Sequence, residues 1–225
     1  MRWSTISGVT RFLLLFCSLL LCLPSPSNAQ DYPPHVELLL SWDGFRETGK
    51  NRGWLADKAN RFVGNPKGSP YCAATVSLAL DSAEVEYPTV RSGLAANFRT
   101  RESVNAKNVI SGKDSIGTGW IVVWQKGRSI YGHAGVVVDV VDKRHIREVS
   151  FNTSCGVDGS IRDGDGGCVK LRAINPLDYF GIRWFTPVRY PPPEDLSFFS
   201  WWRIFCESWP SPDSAYGKFD VRGLI

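Results

Sequence analysis

The chain has 225 residues, with 26 basic and 22 acidic side chains and a formal charge of +4. Such a balance singles out no partner, and that length holds one ordinary domain with a sizeable core. No basic stripe interleaved with aromatics, phosphate-cradling glycine loop or metal-spaced Cys/His cluster occurs, which excludes nucleic-acid, nucleotide and metal chemistry as sequence readings.

Residues 1–29 read as a signal peptide. Arg2 and Arg11 form a positive start, Phe12 to Leu23 is an apolar run of 12 residues, and Ser27-Asn28-Ala29 offers a small-x-small cleavage site. The run is too short to span a bilayer, and Leu21 before Cys22 is not the small residue that precedes a lipidated cysteine. Removing Arg2 and Arg11 with the signal leaves 24 basic against 22 acidic residues. The expectation is a secreted or periplasmic protein, with no membrane span in the mature chain and an oligomeric state left open.

The mature cysteines are Cys72, Cys155, Cys168 and Cys206. An exported protein can hold disulfides. Cys155 and Cys168 bracket the Gly/Asp-rich loop GVDGSIRDGDGG, where a bridge would stabilise by roughly 3 kcal/mol. They are expected to pair, leaving Cys72 and Cys206 either bridged or free.

In GSPYCAATV, Ser69 suits an N-cap and Pro70 the first helical position. The pattern Cys72, Val76, Ala79, Leu80 and Ala83 predicts a helix with one buried face and places Cys72 in its first turn. There the positive end of the helix dipole favours thiolate. Strands are expected near Trp120 to Trp124, His133 to Val141, His145 to Asn152, Cys168 to Arg172 and Arg183 to Val188.

A nucleophilic thiolate needs an imidazole, and only His35, His133 and His145 are on offer. His35 follows two prolines and His145 sits in the charged turn DKRH, so both are expected to be solvated. His133 opens the run HAGVVVDVV, with His133, Gly135, Val137 and Asp139 on one face. A two-residue turn at Asp142-Lys143 would pair Val141 with Arg144, bring Asn152 opposite His133 and set Glu148 opposite Val137. The expected constellation is Cys72 as nucleophile, His133 as base and Asn152 as the group that orients the imidazole. Glu148, about 13 Å along the strand by backbone rise, is the alternative third residue.

GSPYCAATV, GHAGVVVDV and FNTS resemble the three motif blocks of CHAP and NlpC/P60-type cysteine peptidases, papain-like amidohydrolases of bacterial peptidoglycan. RETGKNRGW followed by ADKANRFVG resembles the lead-in helix of a phage- and bacteria-associated CHAP subgroup, and the stretch from Ser160 to Pro187 its closing hairpin. The resemblance covers about residues 36–188. It implies an α+β, papain-like domain with the nucleophile helix packed on an antiparallel sheet, and an amidase or endopeptidase acting on peptidoglycan stem peptides without a cofactor or metal. The same roles fall on Cys72, His133 and Asn152, with Tyr71 and Trp120 as candidate substrate-binding aromatics. Two departures stand out: Tyr71 replaces a common Trp, and Ser150 stands where a Glu is frequent. Residues 189–225 read as an aromatic, proline-rich C-terminal extension. Two other readings stay open: a thiol hydrolase of proteins or lipids, and a non-catalytic binding module held by disulfides.

Overall fold

A computed structural model describes residues 31–155 and 164–192. The expected signal segment, most of the C-terminal extension and Cys206 lie outside the described residues. Within them, helices α1 (Pro34–Ser41), α2 (Trp54–Phe62) and α3 (Cys72–Ser82) precede a short 3₁₀ turn (Ala95–Phe98), strand β1 (Val104–Asn105) and helix α4 (Ala106–Ser111). Strands β2 (Ile121–Lys126), β3 (Gly132–Asp142), β4 (His145–Thr153), β5 (Gly166–Ala173) and β6 (Phe180–Thr186) follow. The result is an α+β domain whose single six-stranded sheet is antiparallel throughout, in the order β1-β6-β2-β3-β4-β5. No helix among the described residues is long and apolar enough to cross a membrane.

The sheet is buried on both faces, which is why β3 reads as a near-continuous β-branched run. Val122, Trp124, Val137, Ile146, Ile182 and Phe185 pack with Ala106 and Val109 of α4 on one side. Helix α3 packs on β3 and β4, flanked by α1 and α2. Its residues from Cys72 to Leu80 are all buried, so this helix is held by tertiary packing all round and not by an amphipathic stripe.

Helix α3 begins two residues later than the capping pattern predicts. Tyr71, with φ −124°, is the N-cap and contributes no side-chain cap. The Ser69 carbonyl accepts from Asn60 Nδ2 at 2.8 Å, and the Tyr71 N–H donates to Asn152 Oδ1 at 3.3 Å. Those long-range bonds hold residues 69–71 outside the helix.

The β3–β4 turn also differs from expectation. Asp142 pairs with His145 across Lys143-Arg144, but two irregularities in β3 absorb the offset. The ladder therefore arrives at Val137↔Glu148, Val136↔Val149 and Gly135↔Ser150, the pairings expected from a turn one residue earlier.

His35 is not solvated: it is 1% exposed on α1. Its Nε2 is 2.8 Å from the Gly119 carbonyl, which makes Nε2 the protonated nitrogen, and its Nδ1 is 2.5 Å from the Tyr190 hydroxyl. Arg189 bridges Tyr87. These contacts pack His35, Arg189 and Tyr190 against the rest of the described residues.

Burial pushes the His35 pKa below its ordinary 6.5. The folded state then binds fewer protons than the unfolded one below that value, so this contribution is complete above about pH 6.5 and declines as pH falls. Thermal melts between about pH 7 and pH 5 should show falling stability in the native chain and a shallower fall in His35→Leu. An equal pH slope in the two proteins would remove His35 as a source of it.

Candidate active site

The site forms where two paired strands part. Gly135↔Ser150 is the last rung between β3 and β4; beyond it β4 pairs with β5 alone and β3 with β2 alone. Asn152 sits at this divergence with φ +56°, a left-handed conformation that Asn tolerates better than most residues. The parting strands and the start of α3 enclose a cleft of about 380 Å³ lined by Cys72, His133, Trp124, Asn152, Lys170 and Arg172, among others.

Cys72 is a free thiol, 8% exposed, at the first position of α3. The backbone N–H groups of Ala134, Ala73 and Cys72 itself act on the thiol to lower its pKa, and Ala134 has no partner on β4. Each favours thiolate, as the helix terminus does. Burial is the larger effect and holds the thiol above its ordinary 9.0. The helix terminus favours thiolate as expected, but burial outweighs it, so at neutral pH the thiol form is the favoured one.

His133 lies across Trp124 on β2, ring centroids 5.1 Å apart and inclined at 61°. Its Nε2 is buried and has no hydrogen-bond partner among the described residues. Burial, followed by the charges of Arg172 and Lys170, lowers its pKa from 6.5 to about 3. The imidazole is a neutral base with an uncommitted nitrogen in the same cleft as a protonated thiol.

Asn152 reaches the cleft, but its amide is committed elsewhere. Oδ1 accepts from the Tyr71 N–H, and Nδ2 donates to Asn51 Oδ1 at 2.8 Å. Asn51 donates its backbone N–H to Glu47 at 2.6 Å and its side chain to the Gly68 carbonyl at 3.0 Å. Residues of the ETGKN segment thus tie the end of β4 to the approach to α3.

Glu148 is fully buried. Its Oε1 accepts from Arg172 Nε at 2.8 Å and from Ser150 Oγ at 3.2 Å, while Oε2 has no partner among the described residues. A Cβ on Gly135 would stand 2.7 Å from that Oε2. The carboxylate therefore leans along the sheet over Gly135, two positions from His133, covering about half of the separation expected from backbone rise. Burial raises its pKa, with Arg172 the main opposing influence.

The two candidate substrate-binding aromatics lie elsewhere. Tyr71 is wholly buried, its hydroxyl donating to Glu47 at 3.0 Å, so its ring is an internal prop. Trp120 packs against the α4-side core. Trp124 lines the cleft instead, touching the His133 ring and lying 5.8 Å under the Arg172 guanidinium. Two-residue periodicity from Trp120 carried that signal, since Trp120, Val122 and Trp124 share a strand face. Cys155 and Cys168 are bonded to each other near the rim. Asp165 accepts from the Cys155 N–H and pairs with Arg46, and no group of three or more metal-ligating acidic, His or Cys side chains occurs among the described residues.

No family model matches the chain, and no curated protein does.

Because Cys72 is protonated at rest, alkylation by iodoacetamide should be slow near neutral pH and accelerate as pH rises toward and past about 9. Mass analysis of the Cys72 peptide over a pH series checks this. Rapid labelling that is flat from neutral pH upward would show a preformed thiolate.

Proposed function

We propose that the protein is an exported thiol hydrolase, a papain-like amidohydrolase of the CHAP and NlpC/P60 kind, that cuts amide bonds in peptidoglycan stem peptides through Cys72 and His133. The observation that carries this reading is the presence, in one cleft, of a free thiol at a helix N-terminus and a buried imidazole whose Nε2 lacks a partner among the described residues. A disulfide-held binding module needs neither feature. The motif resemblance and the export signal supply the choice of substrate and location.

The resting pair is neutral, so proton transfer accompanies attack. His133 takes the Cys72 proton as the sulfur adds to the amide carbonyl, and N–H groups of the first turn of α3 stabilise the oxyanion. The imidazolium then protonates the leaving amine, and water, activated by the same imidazole, hydrolyses the thioester. Formation of the imidazolium calls for a nearby anion. Glu148 is the candidate for it, because its Oε2 has no partner among the described residues and lies against Gly135, two positions from His133.

Purified sacculi incubated with the mature protein should release new amino groups, and Cys72→Ser should abolish the release while keeping the fold. Undiminished release by Cys72→Ser, or none by the native protein, would sink the reading.

The third residue is tested by two variants. Glu148→Gln, which keeps shape and loses charge, should lower kcat by at least about tenfold. Asn152→Ala should chiefly lower the melting temperature, since it deletes two hydrogen bonds and puts Ala at positive φ, together about 1–3 kcal/mol. A native kcat in Glu148→Gln beside a large kcat loss in a stably folded Asn152→Ala would return the orienting role to Asn152.

A further inference from the structure

Two cations converge in the cleft on a single neutral acceptor. Lys170 Nζ and Arg172 Nη2 both donate to Thr153 Oγ1, at 3.3 and 3.4 Å. They stand two residues apart on β5 and so share one sheet face, and both line the same cleft as Cys72 and His133. Glu148 offsets one charge by accepting from Arg172 Nε. Asp165 acts on Lys170 from a distance but spends its carboxylate on Arg46 and the Cys155 N–H. Holding an ammonium and a guanidinium together over one hydroxyl is unfavourable, and the strain shows in Lys170, whose pKa burial and Arg172 lower. Arg172 is tied to the fold by Glu148, whereas Lys170 has no carboxylate within ion-pairing distance among the described residues.

We infer that Lys170 and Arg172 form an anion-recognition subsite, and that the substrate carries a free carboxylate close to the scissile carbonyl. A carboxylate accepting from both groups completes their hydrogen bonds and removes the surplus positive charge from the cleft. It also changes the base. Arg172 and Lys170 oppose protonation of His133, and neutralising them lets the imidazolium form as the proton leaves Cys72. A carboxylate-bearing substrate thus assists its own cleavage, whereas the same peptide with that carboxylate amidated binds and reacts poorly. The inference rests on this cleft being where the substrate is cut.

The test uses matched synthetic stem peptides that differ only in a free carboxylate or a carboxamide on the residue next to the scissile amide. Affinity is measured by calorimetry on full-length mature Cys72→Ala protein, and turnover on the native enzyme. The carboxylate form should bind about ten- to a hundredfold more tightly. Lys170→Gln should bring the two affinities close together, and Lys170→Glu should reverse their order. Equal affinity for the two peptides, or measurable binding of neither, overturns the inference. The two proposals fail separately. Carboxylate preference in binding without Cys72-dependent turnover keeps the subsite and ends the hydrolase reading. Cys72-dependent turnover with no preference keeps the hydrolase and ends the subsite. The peptide comparison needs no variant at Arg172, whose bond to the buried Glu148 contributes to the fold.

Discussion

The parting of β3 from β4 beyond Gly135↔Ser150 is the constraint on which the rest of the site depends. While the strands are paired, their polar backbone groups are occupied. Once they separate, the Ala134 N–H is free of β4 and acts on the Cys72 thiol, lowering its pKa. The first residue of α3 thus shares a cleft with His133, the neighbour of Ala134 on β3. The divergence is held open from the other side by Asn152, whose left-handed backbone turns β4 away and whose amide ties it to Tyr71 and Asn51. Asn152 belongs to the site as the residue that shapes the gap.

Electrostatics inside the cleft follow from the same enclosure. Burial disfavours every charged form, which leaves the thiol and the imidazole neutral and pushes the Glu148 pKa upward. Arg172 links these effects: it holds Glu148 through Nε, stands over the Trp124 ring and opposes protonation of His133. The resting cleft is poised against forming an imidazolium. Under the proposal above, a substrate that supplies negative charge would reverse that bias.

Much of the framework was legible in the sequence because it rests on local periodicity. The β-branched run at His133 gave β3 and its faces as far as Val137, beyond which an irregularity brings Val140 to the same core as Val137, and the GSPYCAATV stretch gave a helix with Cys72 in its first turn. The β3–β4 pairing near the cleft was legible too, although by compensation: the turn lies one residue further on than expected, and two irregularities in β3 restore the pairing. The Cys155–Cys168 bond joins the two residues that their spacing matched. What the sequence concealed depends on distant partners. His35 looked solvated beside two prolines because Tyr190, 155 positions away, completes its surroundings. Asn152 looked free to orient His133 because its partner Asn51 lies 101 positions upstream. Glu148 looked too remote because backbone rise says nothing of a side chain leaning over a glycine. Lys170 and Arg172 passed as ordinary strand residues, since nothing local shows two cations meeting at Thr153.

Cys72 and His133 share one cleft as a neutral thiol and a neutral imidazole. Side-chain nitrogen NMR of His133, assigned by comparison with His133→Gln, tests this most directly. The imidazole should stay neutral from about pH 8 to below about pH 5, consistent with a pKa lowered to about 3. Protonation of His133 with a midpoint at or above the ordinary 6.5 would contradict it.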